Sequence, residues 1–531
     1  MHKAQYFLIL HAHLPFIKHP EDENFLEELW FYEALSETYI PLLKFLQKIK
    51  KENLNFKINI SLSPTLLSML DDNLLKNRFI SFLEKRIKLS EKEIIRTKNN
   101  PKLNELAKFY YKFFSDTLKI YTDELQTNII EEFKKFYQED IIELFTTSAT
   151  HAFLPFFEFQ PDLVNAQIKI GLKTFQYYFG FSPEGIWIPE CGYYDGLDNI
   201  LLKNNIKYTI VDSHAFLFGK PKPITSIYLP VKTQKGLTLF ARDMNLSELI
   251  WNAQTGYPGN EYYREFHKDL SSELSYEELK PCTHPAGFRM NTSIKYYRIS
   301  DKNSDNKKLY DIKKAQFQTK IDAEDYISKL KTIAEDLISY INIPPVIVTP
   351  FDAELFGHWW FEGIDFIYEF AKKLNNNTQL LCTSKLSDYI KKFPPVLNCE
   401  PSPSSWGLNG YNEMWLNNRT DWIYPLVHQT GDFYLNLISN ISTSSLNKVQ
   451  EKIILQMGKE LLLAQSSDWP FIIRSQTTTK YATFRVKDHI ANFYKLYNMY
   501  KTNQIDIDYL NKRCNQYNLF KNISINDFKE K

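Results

Sequence analysis

GIWIPECGYYDG, residues 185–196, decides how this chain is read. An apolar run with the look of a buried strand ends at Pro189 and delivers Glu190 on a turn that closes with Gly192. A glutamate serving only solubility would need no such scaffold, so the stretch reads as a strand whose C-terminal end presents a working carboxylate. The same device recurs along the chain. YFLIL leads into His11 and His13, KINISL into Ser63 and Pro64, and IIELFTTSA into His151. KYTIV leads into Asp212 and His214, LTLFA into Arg242 and Asp243, and VIVTPF into Asp352 and Glu354.

Helical periodicity at 27–50 and 163–179 separates several of these runs, which predicts parallel βαβ units. Polar residues follow nearly every strand and not merely those at one crossover. An α/β barrel related to the eight-stranded type is therefore expected in preference to a doubly wound open sheet. Its expected extent is residues 1–70 and 140–393, with a loop and helical insertion at about 250–340. Within that insertion GYPGNEYY and DKNSDNKKLYD read as loops and 322–341 as a helix. Residues 71–139 carry helical periodicity and many charges, and read as an inserted helical domain. After PPVLNCEPSPSS (394–405) a helical C-terminal domain is expected over 394–531.

Composition narrows the function. A chain of 531 residues with 44% hydrophobic content forms a large core and is not disordered. A formal net charge of +1 argues against nucleic acid as a partner. No stretch approaches the ~20 apolar residues of a membrane span. The apolar run Tyr6–Leu10 is too short for a signal peptide, so a cytoplasmic location is expected. Five scattered cysteines without a CxxC pair fit free thiols in a reducing compartment and exclude a cysteine-built zinc site.

Glu190 and Asp352 are the strongest pair for chemistry. Carboxylates at two strand ends of one barrel can face each other across its mouth, as glycosidic cleavage requires of its acid and its nucleophile. Apolar neighbours such as Trp187, Trp359 and Trp360 would raise the acid's pKa by desolvation. The bland alternative is that either carboxylate caps a helix or pairs with Arg242. His11 and His13 form an HxH at the first strand end, and with His151, His214 and Asp352 a metal hydrolase site can be drawn. Against it, no HxxH or HExxH occurs; the histidines would otherwise bond sugar hydroxyls, orient a carboxylate or be structural. SSWGLNGYNEMWLN (404–417) places Trp406 and Trp415 in a polar loop, either as sugar-stacking faces or as the seat of the C-terminal domain. Asp468 and Trp469 follow at a helix end, reaching the same cleft or capping the helix.

HAHLPF, TTSATHAFLPF, GIWIPECGYYDG, VTPFDAELFGHWW and AQSSDWPF, in this order, resemble the five signature regions of glycoside hydrolase family 57. FARDMNLSELIWNAQTGYPG and IKYYRIS resemble its branching-enzyme and amylase-C-like subgroup. The resemblance implies a (β/α)7 distorted TIM-type barrel with an inserted helical domain and a helical C-terminal domain. It implies a retaining mechanism on α-1,4-glucan without metal or cofactor. On matching motifs Glu190 would be the nucleophile and Asp352 the general acid/base. His11, His13, His151, Arg242 and Asp468 would line the donor-sugar pocket, with Trp251, Trp359, Trp406 and Trp415 as platforms. The resemblance further implies, in branching members, a longer loop that brings a tyrosine over the site; the stretch 214–236 is short and holds one tyrosine, Tyr228. Branching of α-1,4-glucan is the expected activity, with amylase-type hydrolysis as the alternative. A metal hydrolase and a non-catalytic glucan-binding protein are the remaining readings.

Overall fold

The computed structural model describes residues 3–280, 282–300, 306–377 and 379–529, so the loop expected at 301–311 lies partly outside the described residues. All seven runs read as strands are strands. They are β1 (Ala4–Ala12), β2 (Ile58–Leu62), β3 (Ile142–Thr147), β4 (Gly185–Trp187), β5 (Tyr208–Val211), β6 (Thr238–Ala241) and β7 (Val346–Asp352). Parallel pairing runs from β7 through β1, β2, β3, β4 and β5 to β6. The two ends of this curled sheet meet where Asp243 N, just beyond β6, donates to Val348 O of β7 at 2.8 Å. The fold is the expected (β/α)7 barrel. Two-residue strands Val231–Lys232 and Leu397–Asn398 extend the β6 side, and Leu381–Thr383 pairs with the start of β1.

Strand parity explains how the barrel mouth is furnished. Phe7 and Ile9 of β1 join Phe145, Trp187, Tyr208, Ile210, Phe240, Val346 and Val348 in one buried cluster, the barrel interior. Tyr6, Leu8 and Leu10 belong to the other core, beneath the helices. Both faces are thus buried, which is why each strand reads as an unbroken apolar run. Continuing the inward series by two residues from Ile9, Ile210 and Phe240 reaches His11, Asp212 and Arg242. The same count from Val348 through Pro350 reaches Asp352, and His11 stands in register with it across β1 and β7.

Outside the barrel, helices Asn73–Arg96 and Pro101–Lys119 pair side by side, the first capped by Asp72 and the second by Asn100. One helix spans Ile312–Tyr340, longer than the stretch expected, and its N-terminus is capped by Asp311. The helix after β1 is interrupted by a π turn at Leu35–Tyr39. Beyond residue 420 the chain folds into helices Ile423–Ser439, Lys448–Ala464, Asp468–Ser475, Thr479–Thr502 and Ile507–Gln516. Among the described residues no helix is long and apolar enough to cross a membrane.

Candidate active site

Glu190 leaves strand parity through strain. It sits in the turn Pro189–Cys191 with φ 61° and ψ 22°, a left-handed conformation that costs a non-glycine residue about 1–3 kcal/mol and is kept where neighbours over-determine it. They do so here: Trp406 N donates to Glu190 O at 2.9 Å, and the carboxylate accepts from Trp406 Nε1 at 2.6 Å and Ser467 Oγ at 3.1 Å. Burial pushes the Glu190 carboxyl up to about 7, against the two hydrogen bonds. Asp352 is held well above the carboxylate range, first by burial and then by the charges of Glu354, Glu190 and Asp468, with Arg242 opposing. Glu354, also pushed up to about 7 by burial, accepts from the Tyr39 hydroxyl and from His13 N at 3.1 Å. Carboxyls that share one buried mouth cannot all ionise, so the arrangement keeps one proton available beside an ionised partner. Neither Glu190 nor Asp352 is held by Arg242, which instead pairs with Asp212 at 3.2 Å.

His11, His13 and His151 stack, with 4.0 Å between the ring centroids of His13 and His151 and 4.9 Å between those of His11 and His151. Trp187 forms the floor, 5.1 Å from His11. His11 meets Ser61 Oγ at 3.1 Å and His151 Nε2 at 3.0 Å, while His151 Nδ1 meets Ser467 Oγ at 2.8 Å. All four ring nitrogens of that pair are committed. Burial holds both rings well below the usual histidine range, hence neutral. His13 differs: burial opposes its charge, but Asp468, bonded at 3.1 Å, raises it, and His13 in turn keeps Asp468 ionised. His13, His151 and Asp468 bring atoms within 4.8 Å of one another. A metal there would have to displace the His13 proton and the His11 bond to His151. His214 lies apart from this cluster, between Asp212 at 3.2 Å and Gly410 O at 2.7 Å. The drawn metal set of His11, His13, His151, His214 and Asp352 is therefore not assembled.

The tryptophans divide. Trp406 links the mouth to its rim: its ring is 4.9 Å from Trp187, 5.7 Å beneath the Arg242 guanidinium and 6.1 Å from Trp251, which is 47% exposed. Trp359 is 56% exposed and stacked on Phe266 at 4.6 Å. Trp415 corrects the expectation of a platform. It is 1% exposed, stacked at 4.4 Å on Phe153, and offers no free face. Trp360 likewise packs in the core against Tyr263 and Phe366. Asp468 opens the helix Asp468–Ser475 instead of ending one, and Ser63 caps the helix Pro64–Leu70. Reading the sequence passed over Ser61, Ser467 and Tyr39. Inward parity after Asn59 would have found Ser61; nothing local marks the other two.

Residues 7–398 match the family model described as Glycosyl hydrolase family 57, and residues 427–528 one described as 1,4-alpha-glucan branching enzyme, C-terminal. The α-amylase AmyC from Thermotoga maritima superposes with a TM-score of 0.92 at 38% identity, covering 100% of this chain and 99% of that one. A GH57-type branching enzyme from Pyrococcus horikoshii does so at 0.88 and 28%, covering 99% and 97%. A 1,4-alpha-glucan branching enzyme of Thermococcus kodakarensis is 27% identical over 525 residues, 93% of this chain and 74% of that protein. With the barrel matched from β1 to Leu397–Asn398, the chain belongs to glycosyl hydrolase family 57.

Proposed function

We propose that the protein is a retaining 1,4-α-glucan branching enzyme with Glu190 as nucleophile and Asp352 as general acid/base. The observation that carries this reading is the unequal treatment of two part-buried carboxyls at one barrel mouth. Glu190 receives two hydrogen bonds that favour its ionised form, whereas burial first, and then neighbouring negative charges, keep the proton on Asp352. Asp352 gives that proton to the glycosidic oxygen as its bond to C1 breaks, and Glu190 forms the new bond to C1. Asp352, now ionised, takes the proton of an acceptor 6-hydroxyl whose oxygen displaces Glu190, so configuration at C1 is retained. Branching is favoured by the match of the tail to a branching-enzyme C-terminal region and by the branching enzymes of similar fold.

Water in place of the 6-hydroxyl would make the same site an amylase. Two observations favour that second reading: the greater identity to AmyC, and Tyr228, whose carbonyl accepts from Val346 N at the start of β7, the end of that strand away from Asp352, and whose hydroxyl lies 3.4 Å from Asp243. Incubation with amylose decides, read by NMR for α-1,6 linkages together with a reducing-end assay. New linkages without matching reducing ends are expected; reducing ends alone would make the protein a hydrolase. Asp352→Asn is expected to lower turnover by roughly 10²–10⁴-fold in a folded protein. Near-normal turnover would remove Asp352 from its role.

A further inference from the structure

We infer that Ser61, His11, His151 and Ser467 form a one-directional hydrogen-bond chain that ends on Glu190 and positions its carboxylate, with every donor pointing toward the nucleophile. The inference rests on Glu190 being that nucleophile. Its direction follows link by link from which atoms carry hydrogen. An ionised carboxylate offers only lone pairs, so Ser467 Oγ donates to Glu190 Oε1. That spends the single hydroxyl hydrogen, and at the 2.8 Å contact His151 Nδ1 must donate to Ser467. A neutral imidazole carries one N–H, which leaves His151 Nε2 to accept from His11 Nε2 at 3.0 Å. The same count leaves His11 Nδ1 to accept from the Ser61 hydroxyl at 3.1 Å. Reversing any link would set two hydrogens or two lone pairs against each other.

The surroundings suit such a chain. Ser61, His11, His151 and Ser467 are all buried, so no water competes for these bonds. In a medium of low dielectric, aligned donors polarise one another, and the last bond is strengthened by those behind it. The four residues come from β2, β1, the turn after β3, and the segment between two C-terminal helices, so the chain ties separate parts of the fold to one carboxylate. Other groups act on Glu190 as well. Trp406 holds Oε2, His13 and Asp468 face the carboxylate as an ion pair, and Asp352 and Cys191 lie close by. The His13–Asp468 pair takes no part in the chain, which separates the two histidines that burial holds neutral from the one whose proton Asp468 favours.

Nitrogen-15 NMR of ring-labelled histidine at pH 8, with His11→Asn and His151→Asn to assign the signals, reads the tautomers directly. The expected result is a proton on Nδ1 of His151 and on Nε2 of His11. The opposite tautomer on either ring, or a doubly protonated ring, would overturn the chain, whatever the protein's activity proves to be. The second readout is the acid limb of kcat/KM on amylose. Ser467→Ala is expected to move it upward by about one pH unit, because the ionised carboxylate loses a donor. Ser61→Ala should move it in the same direction by less, and Ser467→Thr should restore it. A limb that stays in place in folded Ser467→Ala would show that the serine serves packing alone. Wild-type protein without turnover on amylose would instead sink the function proposed above and leave the tautomer result standing.

Discussion

Glu190 makes the protein less stable for the sake of chemistry, and pH exposes this. Burial moves its carboxyl from 4.5 up to about 7. Below about pH 4.5 both the folded and the unfolded chain hold the proton, and the native environment carries no penalty. As pH rises toward 7 the unfolded chain gives up its proton first, so stability is lost through that window and stays lost above it. The shift corresponds to about 3 kcal/mol. Glu190→Gln abolishes the nucleophile but also the buried charge. Urea unfolding is therefore expected to find this variant about 2 kcal/mol more stable than wild type at pH 8, the remainder being offset where the amide NH2 meets a donor. At pH 4, where the carboxyl penalty is gone and only the amide mismatch remains, the variant should be about 1 kcal/mol less stable than wild type. Equal stability at pH 8 would mean that Glu190 is solvated in the folded protein and that the enclosed mouth described here is open.

At the scale of elements, strands were legible and the helix irregularity was not. Two-residue parity carries each barrel strand from interior apolar side chains to a functional one, so His11, Arg242 and Asp352 could be found by counting. The π turn Leu35–Tyr39 leaves no such trace, because FYEALSETYIPLL reads as an ordinary amphipathic helix and one extra residue per turn does not disturb its composition. Yet this turn presents Tyr39 to Glu354 and Glu37 to His358 at 2.8 Å and Arg264 at 2.8 Å, steadying the loop after β7. Trp415 hides for a related reason: the polar loop around it suggests exposure, whereas its ring is stacked on the distant Phe153 and faced by Gly407. The π turn and the β7 loop meet at Gly357, where φ is 107° and an added Cβ would lie 1.9 Å from Glu37 O. Neither the backbone angle nor that oxygen can yield cheaply. Gly357→Ala is expected to cost about 3 kcal/mol or more in denaturant unfolding and to lower kcat by displacing Glu354. A variant with wild-type stability and turnover would show that the loop relaxes freely and does not position the acid.

Across the whole molecule the site is completed from outside the barrel, which local sequence patterns do not announce. Trp406, Ser467 and Asp468 lie far along the chain from the strands whose groups they touch. Ser467 and Asp468 are brought there by Ser467 N bonding His151 O at 3.0 Å, by Gln167 Nε2 bonding Gln465 Oε1 at 3.0 Å and by the bridge between Ala152 and Ser466; Trp406 is brought by its own N bonding Glu190 O at 2.9 Å and by the bridge between Tyr193 and Ser404. Asp468 is the most instructive of the three. Its charge raises both Asp352 and Glu190, but at Glu190 the His13 imidazolium that it sustains works in the opposite sense. Asp468→Asn removes the negative charge, and the His13 proton then leaves more readily as well. At Asp352 only the first change counts, so its pKa falls; at Glu190 the two largely offset. The bell of kcat/KM against pH should therefore narrow from one side. Its alkaline limb, set by protonated Asp352, is expected to move down by about one pH unit while the acid limb moves much less. Measurement of the profile on amylose with the full-length variant, its folding checked by circular dichroism, tests this. An unmoved alkaline limb would mean that the tail shapes the cleft without contributing to the electrostatics of the acid.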